Sequence, residues 1–201
     1  IVEEKIYDKF VELLVTKTKK LKVGDPLDPA TDIGPLINEK QKKRVLDYIA
    51  IGKKEAKLVV GGSTSRISRG YFVEPTIFID VDNNMTIARE EIFGPVLSVL
   101  KAKNADEAVR IANDTDYGLA AMIWTKDLNK ATLLAKQLRA GTIWVNTFGG
   151  FYNEAPFGGY KQSGFGRELG KEGLQEYTQI KHVNIDLSPG GKPLVASWFN
   201  V

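Results

Sequence analysis

From Val2 to Lys19 the apolar residues fall at Ile6, Phe10, Leu13 and Leu14, with lysines and glutamates between them. That three-to-four spacing predicts an amphipathic helix with one buried stripe. Gly24, Pro26, Pro29, Gly34 and Pro35 then break the pattern into an extended loop. Asn38 followed by Gln41 has the spacing of a capping box, and the helix it opens buries Val45, Leu46 and Ile49. Leu58-Val59-Val60, closed by Gly61-Gly62, predicts a strand. A second strand is expected between Tyr71 and Ile79, split or held at an edge by Pro75.

Val96 to Leu100 is a near-continuous apolar run, as a buried parallel strand requires. Asn104 and Glu107 repeat the capping pair before a helix through Ala108, Val109 and Ala112. Leu119 to Trp124 predicts a strand, and Asp127 caps a helix bearing Ala131, Leu134, Ala135 and Leu138. Gly141 is expected to stop that helix in a left-handed conformation. Thr142 to Val145, rich in β-branched and aromatic residues, predicts the next strand. Strands alternating with capped helices from about 96 to 146 imply βαβ crossovers, hence an α/β fold with a parallel sheet. Ile180 to Leu187 alternates weakly and predicts a last strand; Trp198 and Phe199 in the tail are expected to dock on another surface, a second subunit included. No repeat, low-complexity segment or interdomain linker stands out.

Composition narrows the chemistry. The 201 residues carry a net charge of +3, one histidine and no cysteine. A surplus that small creates no strong field for nucleic acid or an acidic membrane surface. Lys17, Lys19, Lys20 and Lys22 suit the C-terminal dipole of the first helix better than they suit a nucleic-acid patch. Without cysteine there is no disulfide framework, thiolate metal site or thiol nucleophile within these residues, and one histidine leaves no histidine-rich metal site. Charged residues interrupt every apolar run before the roughly 18 residues a membrane helix needs, and no secretory signal is visible, so a cytoplasmic location is expected. The chain opens on Ile1, as a processed end or part of a longer chain would.

Nine of the 19 glycines lie between Gly141 and Gly173, among Phe148, Phe151, Tyr152, Phe157, Tyr160 and Phe165. Glycine allows close backbone approach and aromatics supply apolar walls, so the stretch either lines a pocket or forms an inert packed loop. The usual nucleotide fingerprints fail: Gly164 to Gly170 is a residue too long for the dinucleotide turn, and Gly170-Lys171-Glu172 lacks the hydroxyl of a P-loop. His182 stands alone, and Asp80, Asp82 and Asn83 lack the glycine and distal glutamate of a calcium loop. Glu90-Glu91-Ile92-Phe93-Gly94-Pro95 is different. A carboxylate there can accept both hydroxyls of a ribose, and an aromatic two residues on can rest against a flat ring. The competing reading is a helix end with solvated glutamates and a core phenylalanine.

Glu90 to Val96, EEIFGPV, resembles the signature of the NAD(P)-dependent aldehyde dehydrogenase superfamily. Gly34-Pro35-Leu36, Tyr117-Gly118-Leu119-Ala120, Gly141 to Asn146 (GTIWVN) and Pro156 to Gly170 (PFGGYKQSGFGRELG) resemble it in the same order, over nearly the whole chain. The resemblance implies that Glu91 binds the nicotinamide ribose of NAD or NADP and that Phe93 packs near the nicotinamide ring. It implies that Phe151 and Phe157 line a substrate tunnel, and that Glu168 acts near the tunnel in a supporting or proton-relay role. Residues 177–201 are implied to be an oligomerisation strand and tail, and 1–176 the C-terminal portion of the catalytic domain. No metal is implied.

In that family a cysteine thiolate attacks the aldehyde, hydride passes to the cofactor, and a glutamate base activates water to hydrolyse the thioester. The resemblance places the cysteine, the base and the Rossmann-type cofactor domain before Ile1. The expectation is therefore part of an aldehyde dehydrogenase that oxidises aldehydes to carboxylic acids with NAD(P)+, inactive alone. Its expected partners are the remainder of such a chain, an aldehyde, and further copies in a dimer or tetramer, with no nucleic acid or membrane. The alternative is a non-catalytic oligomeric or binding module descended from the family.

Overall fold

The structure, a computed structural model, describes residues 1–65, 67 and 69–187. Its chain divides into two compact units, Ile1–Gly150 with Gly158–Phe165, and Phe151–Phe157 with the chain from Gly166 onward.

In the first unit, helix α1 (Glu4–Thr18) follows the short strand β1 (Val2–Glu3), and α2 (Glu39–Glu55) follows the proline-glycine loop. Strands β2 (Lys57–Val60), β3 (Thr76–Ile79) and β4 (Val96–Ser98) form one sheet in that order, β2 antiparallel and β4 parallel to β3. Pro75 does split the second predicted strand: β3 starts at the next residue, and Val73 pairs separately with Thr64. All four residues of β3 are buried because both faces are covered. One face packs Phe78 against Val45 and Ile49 of α2, the other packs Ile77 and Ile79 against Tyr7 of α1.

The α1 stripe is a correction. Tyr7 is buried and Val11 and Leu14 pack beside it, whereas Ile6, Phe10 and Leu13 remain 57%, 41% and 52% exposed. The helix has apolar residues on two sides, and periodicity alone does not say which side meets the sheet. Tyr7 decides it, since its hydroxyl accepts the Asp80 N–H at 2.9 Å and can donate to the Val99 carbonyl at 3.3 Å.

A short helix α3 (Thr86–Arg89) precedes β4, and β5 (Lys101–Ala102) pairs in parallel with β1. Helix α4 (Ala105–Asn113) is capped by Asn104, whose side chain accepts the Glu107 N–H at 2.9 Å. Next come β6 (Tyr117–Gly118), β7 (Ala120–Ile123), α5 (Leu128–Gln137) and β8 (Thr142–Val145). β7 and β8 are parallel across α5, the expected βαβ unit. Among the described residues β4 pairs with β3, β5 with β1 and β7 with β8, so these strands from 96 to 146 enter three parallel ladders and not one continuous sheet. Gly141 also differs from expectation. Its φ is not positive, and α5 ends at Gln137; the glycine is required because a Cβ there would lie 1.7 Å from the Gly158 carbonyl oxygen. β9 (Tyr160–Lys161) closes the unit against β6.

Asp114 ties the end of α4 to the start of the 90–95 segment. It pairs with Arg89 at 3.2 Å and accepts the Asn83 amide at 2.7 Å, and these bonds, Arg89 first, hold its carboxyl below the ordinary range. Such a group contributes stability above its unfolded value, near 3.8, and loses it as pH falls through the lower folded value. Asp114→Asn should therefore unfold at lower urea at pH 7, with the deficit shrinking by pH 3. An equal deficit at both values would show the charge to be irrelevant.

In the second unit, Phe157 and Glu168 exchange both backbone hydrogen bonds at 2.7 Å, and α6 (Gly170–Gln175) packs directly behind, leaving no room for a side chain at Gly173. No strand forms over 180–187. A strand needs a hydrogen-bonded neighbour, and Ile180, Ile185 and Leu187 project into solvent in the single chain. Trp198 and Phe199 lie outside the described residues.

Candidate active site

The segment 90–95 is held from one side by α2. Asn38 accepts the Gln41 N–H at 2.8 Å, as the capping box requires, but the Gln41 side chain does not turn back to Asn38. Its Nε2 donates instead to the carbonyls of Ile92 and Phe93, both at 3.0 Å. One turn on, Arg44 donates to the Glu91 carbonyl at 2.7 Å and stacks over the Tyr48 ring. Tyr48 donates to the Glu90 carboxylate at 2.5 Å, which holds the phenol above its ordinary value. Every acceptor of the Glu91–Phe93 backbone is thus engaged, and Ile92 is buried between them as a core residue.

What remains free is chemically distinctive. The Glu91 carboxylate accepts no hydrogen bond from the described residues, and it lines an open cleft of about 440 Å³ with Thr115, Tyr117, Leu119, Ala120 and Arg139. Phe93 is 74% exposed with φ +57°, a left-handed conformation that costs a residue bearing a Cβ about 1–2 kcal/mol. The expectation of a solvated glutamate is half met, while that of a core phenylalanine fails, because the reversal at 93 throws the ring outward. An unpartnered carboxylate suits a vicinal diol, which donates two hydroxyl hydrogens, and an exposed ring suits a flat heterocycle. These residues fit the ribose and nicotinamide end of a dinucleotide. Among the described residues no group of three or more metal-ligating side chains is present.

The remaining predicted site residues lie in the second unit and are brought together there. Phe151 and Phe157 meet edge to face, with centroids 5.0 Å apart and planes at 81°. The paired backbone bonds set Glu168 directly opposite Phe157, and its side chain is exposed. Left-handed Leu169 and Gly170 then reverse the chain, and the Gly170 N–H donates to the Asn153 carbonyl at 2.9 Å, closing the loop around these residues. Two apolar faces beside a carboxylate can line a path for a small apolar molecule that ends at a polar group.

Gln41, Arg44 and Tyr48 are the site residues that sequence reasoning missed. Their one signal was the glutamine of an apparent capping box on a helix more than forty residues before the segment it holds, and local spacing assigned that glutamine to the helix end.

A sequence profile of the aldehyde dehydrogenase family matches residues 1–183. The chain is 53% identical over 185 residues to the mitochondrial aldehyde dehydrogenase of Homo sapiens and 54% identical over 187 residues to retinaldehyde dehydrogenase 3 of Rattus norvegicus; each match covers 92% of this chain and 36% of the relative. Among solved structures it resembles betaine aldehyde dehydrogenase from Staphylococcus aureus in complex with NAD+, with a TM-score of 0.86, 43% identity, and coverage of 88% of this chain and 36% of that one. A Mycobacterium tuberculosis aldehyde dehydrogenase complexed with NAD+ gives a TM-score of 0.88 at 46% identity, covering 96% of this chain and 40% of that one. The chain belongs to the aldehyde dehydrogenase family. It spans little more than a third of the length of these relatives. No helix among the described residues is long and apolar enough to cross a membrane.

Proposed function

We propose that these residues are the C-terminal part of the catalytic domain of an aldehyde dehydrogenase, over 1–176, followed by an oligomerisation strand and tail over 177–201. The activity is oxidation of an aldehyde to a carboxylic acid with NAD(P)+. The observation that supports it is the Glu91 carboxylate, without a hydrogen-bond donor among the described residues, on a cleft two residues before an outward-turned aromatic, in a chain that belongs to this family.

In this reading Glu91 accepts the two hydroxyls of the nicotinamide ribose and fixes the orientation of the sugar. Phe93 offers its exposed ring to the nicotinamide. Phe151 and Phe157 form one wall of the path by which the aldehyde arrives, excluding water around it, and Glu168 holds or relays a proton at the polar end of that wall. NAD(P)+ supplies the hydride acceptor when bound. The sequence has no cysteine, so in this reading the thiolate comes from the remainder of a family-length polypeptide, and the same reading takes the general base and the rest of the cofactor site from there. The exposed apolar residues of 180–187 pair with another copy of the chain to give a dimer or tetramer, completing the strand that the single chain does not form. A cytoplasmic location belongs to the same proposal; one relative is named a mitochondrial enzyme, and cell fractionation decides between them.

The purified 201-residue chain should show no NAD(P)+-dependent aldehyde oxidation, while high NAD+ should shift the NMR resonances of residues 90–93. Glu91→Ala should weaken that binding at least tenfold, because it removes an acceptor of charge-assisted hydrogen bonds. Aldehyde turnover by the chain alone would sink the division of labour. Unaltered binding in Glu91→Ala would remove the ribose role.

A further inference from the structure

The contacts between α2 and the residues leading into β4 are ordered along both segments, and they run in opposite directions. Glu55 accepts the Thr86 hydroxyl at 2.6 Å, Tyr48 donates to Glu90, Arg44 to the carbonyl of Glu91, and Gln41 to those of Ile92 and Phe93. On the helix these four residues sit at i, i+3, i+7 and i+14, the spacing of one face. Apolar contact sets the register: Gly94 lies so close to Val45 that a Cβ would sit 2.5 Å from its Cγ2.

We propose that Gln41, Arg44 and Tyr48 are positioning residues that hold the 90–93 backbone in the shape that presents Glu91 and Phe93. This deepens the cofactor reading given above and rests on it for its functional meaning. The physical need is specific. Phenylalanine disfavours φ +57°, and its ring, largely in solvent, gains little burial to offset that. Two bonds from one amide to consecutive carbonyls fix the plane of the peptide that joins Ile92 to Phe93 and the orientation of the one that follows it, so Gln41 works against the intrinsic preference of the segment. Arg44 fixes the preceding carbonyl while leaving the Glu91 side chain free. Tyr48 occupies Glu90, so that of the two adjacent glutamates only Glu91 keeps an open carboxylate.

Gln41→Glu tests this, since it keeps the size and the backbone N–H that Asn38 caps but replaces the donating amide by an acceptor. In the ¹³C,¹⁵N-labelled 201-residue chain, the ¹³C′ shifts of Ile92 and Phe93 should lose their hydrogen-bonded position, and the Phe93 HN–Hα coupling should leave its left-handed value. The urea midpoint should move little. NAD+ should bind about tenfold more weakly, because the binding-competent segment becomes a minor conformer once the left-handed penalty is unopposed. Arg44→Leu should displace the Glu91 ¹³C′ shift and Arg44→Lys restore it, a rescue that a purely packing role would not show. Unchanged carbonyl shifts and Phe93 coupling in Gln41→Glu would overturn the proposal. A wild-type chain whose 90–93 resonances ignore saturating NAD+ would overturn the cofactor reading, and the positioning would then stand or fall on the shifts and coupling alone.

Discussion

Gly141→Ala is expected to destabilise the chain by about 3 kcal/mol, the upper end for overpacking a tight site. The added methyl would sit 1.7 Å from the Gly158 carbonyl oxygen and 3.4 Å from that of Leu119. Both are backbone atoms, so no side chain can turn aside; the start of β8 or the strand-like return at 158 must move. A loss of that size lowers the melting temperature by roughly 6–12 °C in a domain of this length. Gly149→Ala is the matched control, with φ +73° and nothing within 4 Å, so that only conformational strain applies. Equal losses in the two variants would mean that close approach is not what Gly141 provides.

Phe78→Ala should have the larger effect, about 3–5 kcal/mol, because the ring is fully buried between β3 and α2. The helix meets that ring through Gly52, where a Cβ would lie 2.7 Å from Cζ. Gly52→Ala should therefore be destabilising in the wild-type chain despite alanine's better helix propensity, and stabilising in the Phe78→Ala background, where the methyl enters the cavity. Urea unfolding of the four members of this cycle reads the sign change directly. Additive effects would show that ring and glycine do not share one space.

Most of the secondary structure was legible because its signals are local. Asn38, Asn104 and Asp127 each cap the helix their spacing predicts, with side-chain acceptors 2.8–2.9 Å from the N–H three residues on. What failed depended on distant partners. The exposed side of α1 follows from Tyr7 finding Asp80, seventy-three residues away, and the role of Gly141 from the approach of Gly158. The strand expected over 180–187 finds no hydrogen-bonded neighbour among the described residues. In the candidate site, the carboxylate-and-aromatic pair was readable from EEIFGP, because both side chains lie close in sequence and the reading needs no distant partner. Gln41 and Arg44 were not readable, because they act on backbone carbonyls and any donor of the right reach would leave the same trace in sequence. The outward turn of Phe93 escaped for a related reason: propensity places phenylalanine inside and glycine or asparagine at positive φ.

That turn sets backbone preference and solvent exposure against the residue type at one position. Asn146 is also left-handed, yet it suits that conformation and binds Thr125 through both ends of its amide. Phe93 has neither compensation. Glycine would take the same backbone freely, and a polar residue would suit the solvent better, so a search for a more stable chain would replace it early. Leu169, left-handed and partly exposed after Glu168, is in the same position. Stabilisation guided by backbone preference alone would thus replace Phe93 and Leu169 early, and under the cofactor reading proposed above Phe93 is the residue to hold constant when the rest is optimised.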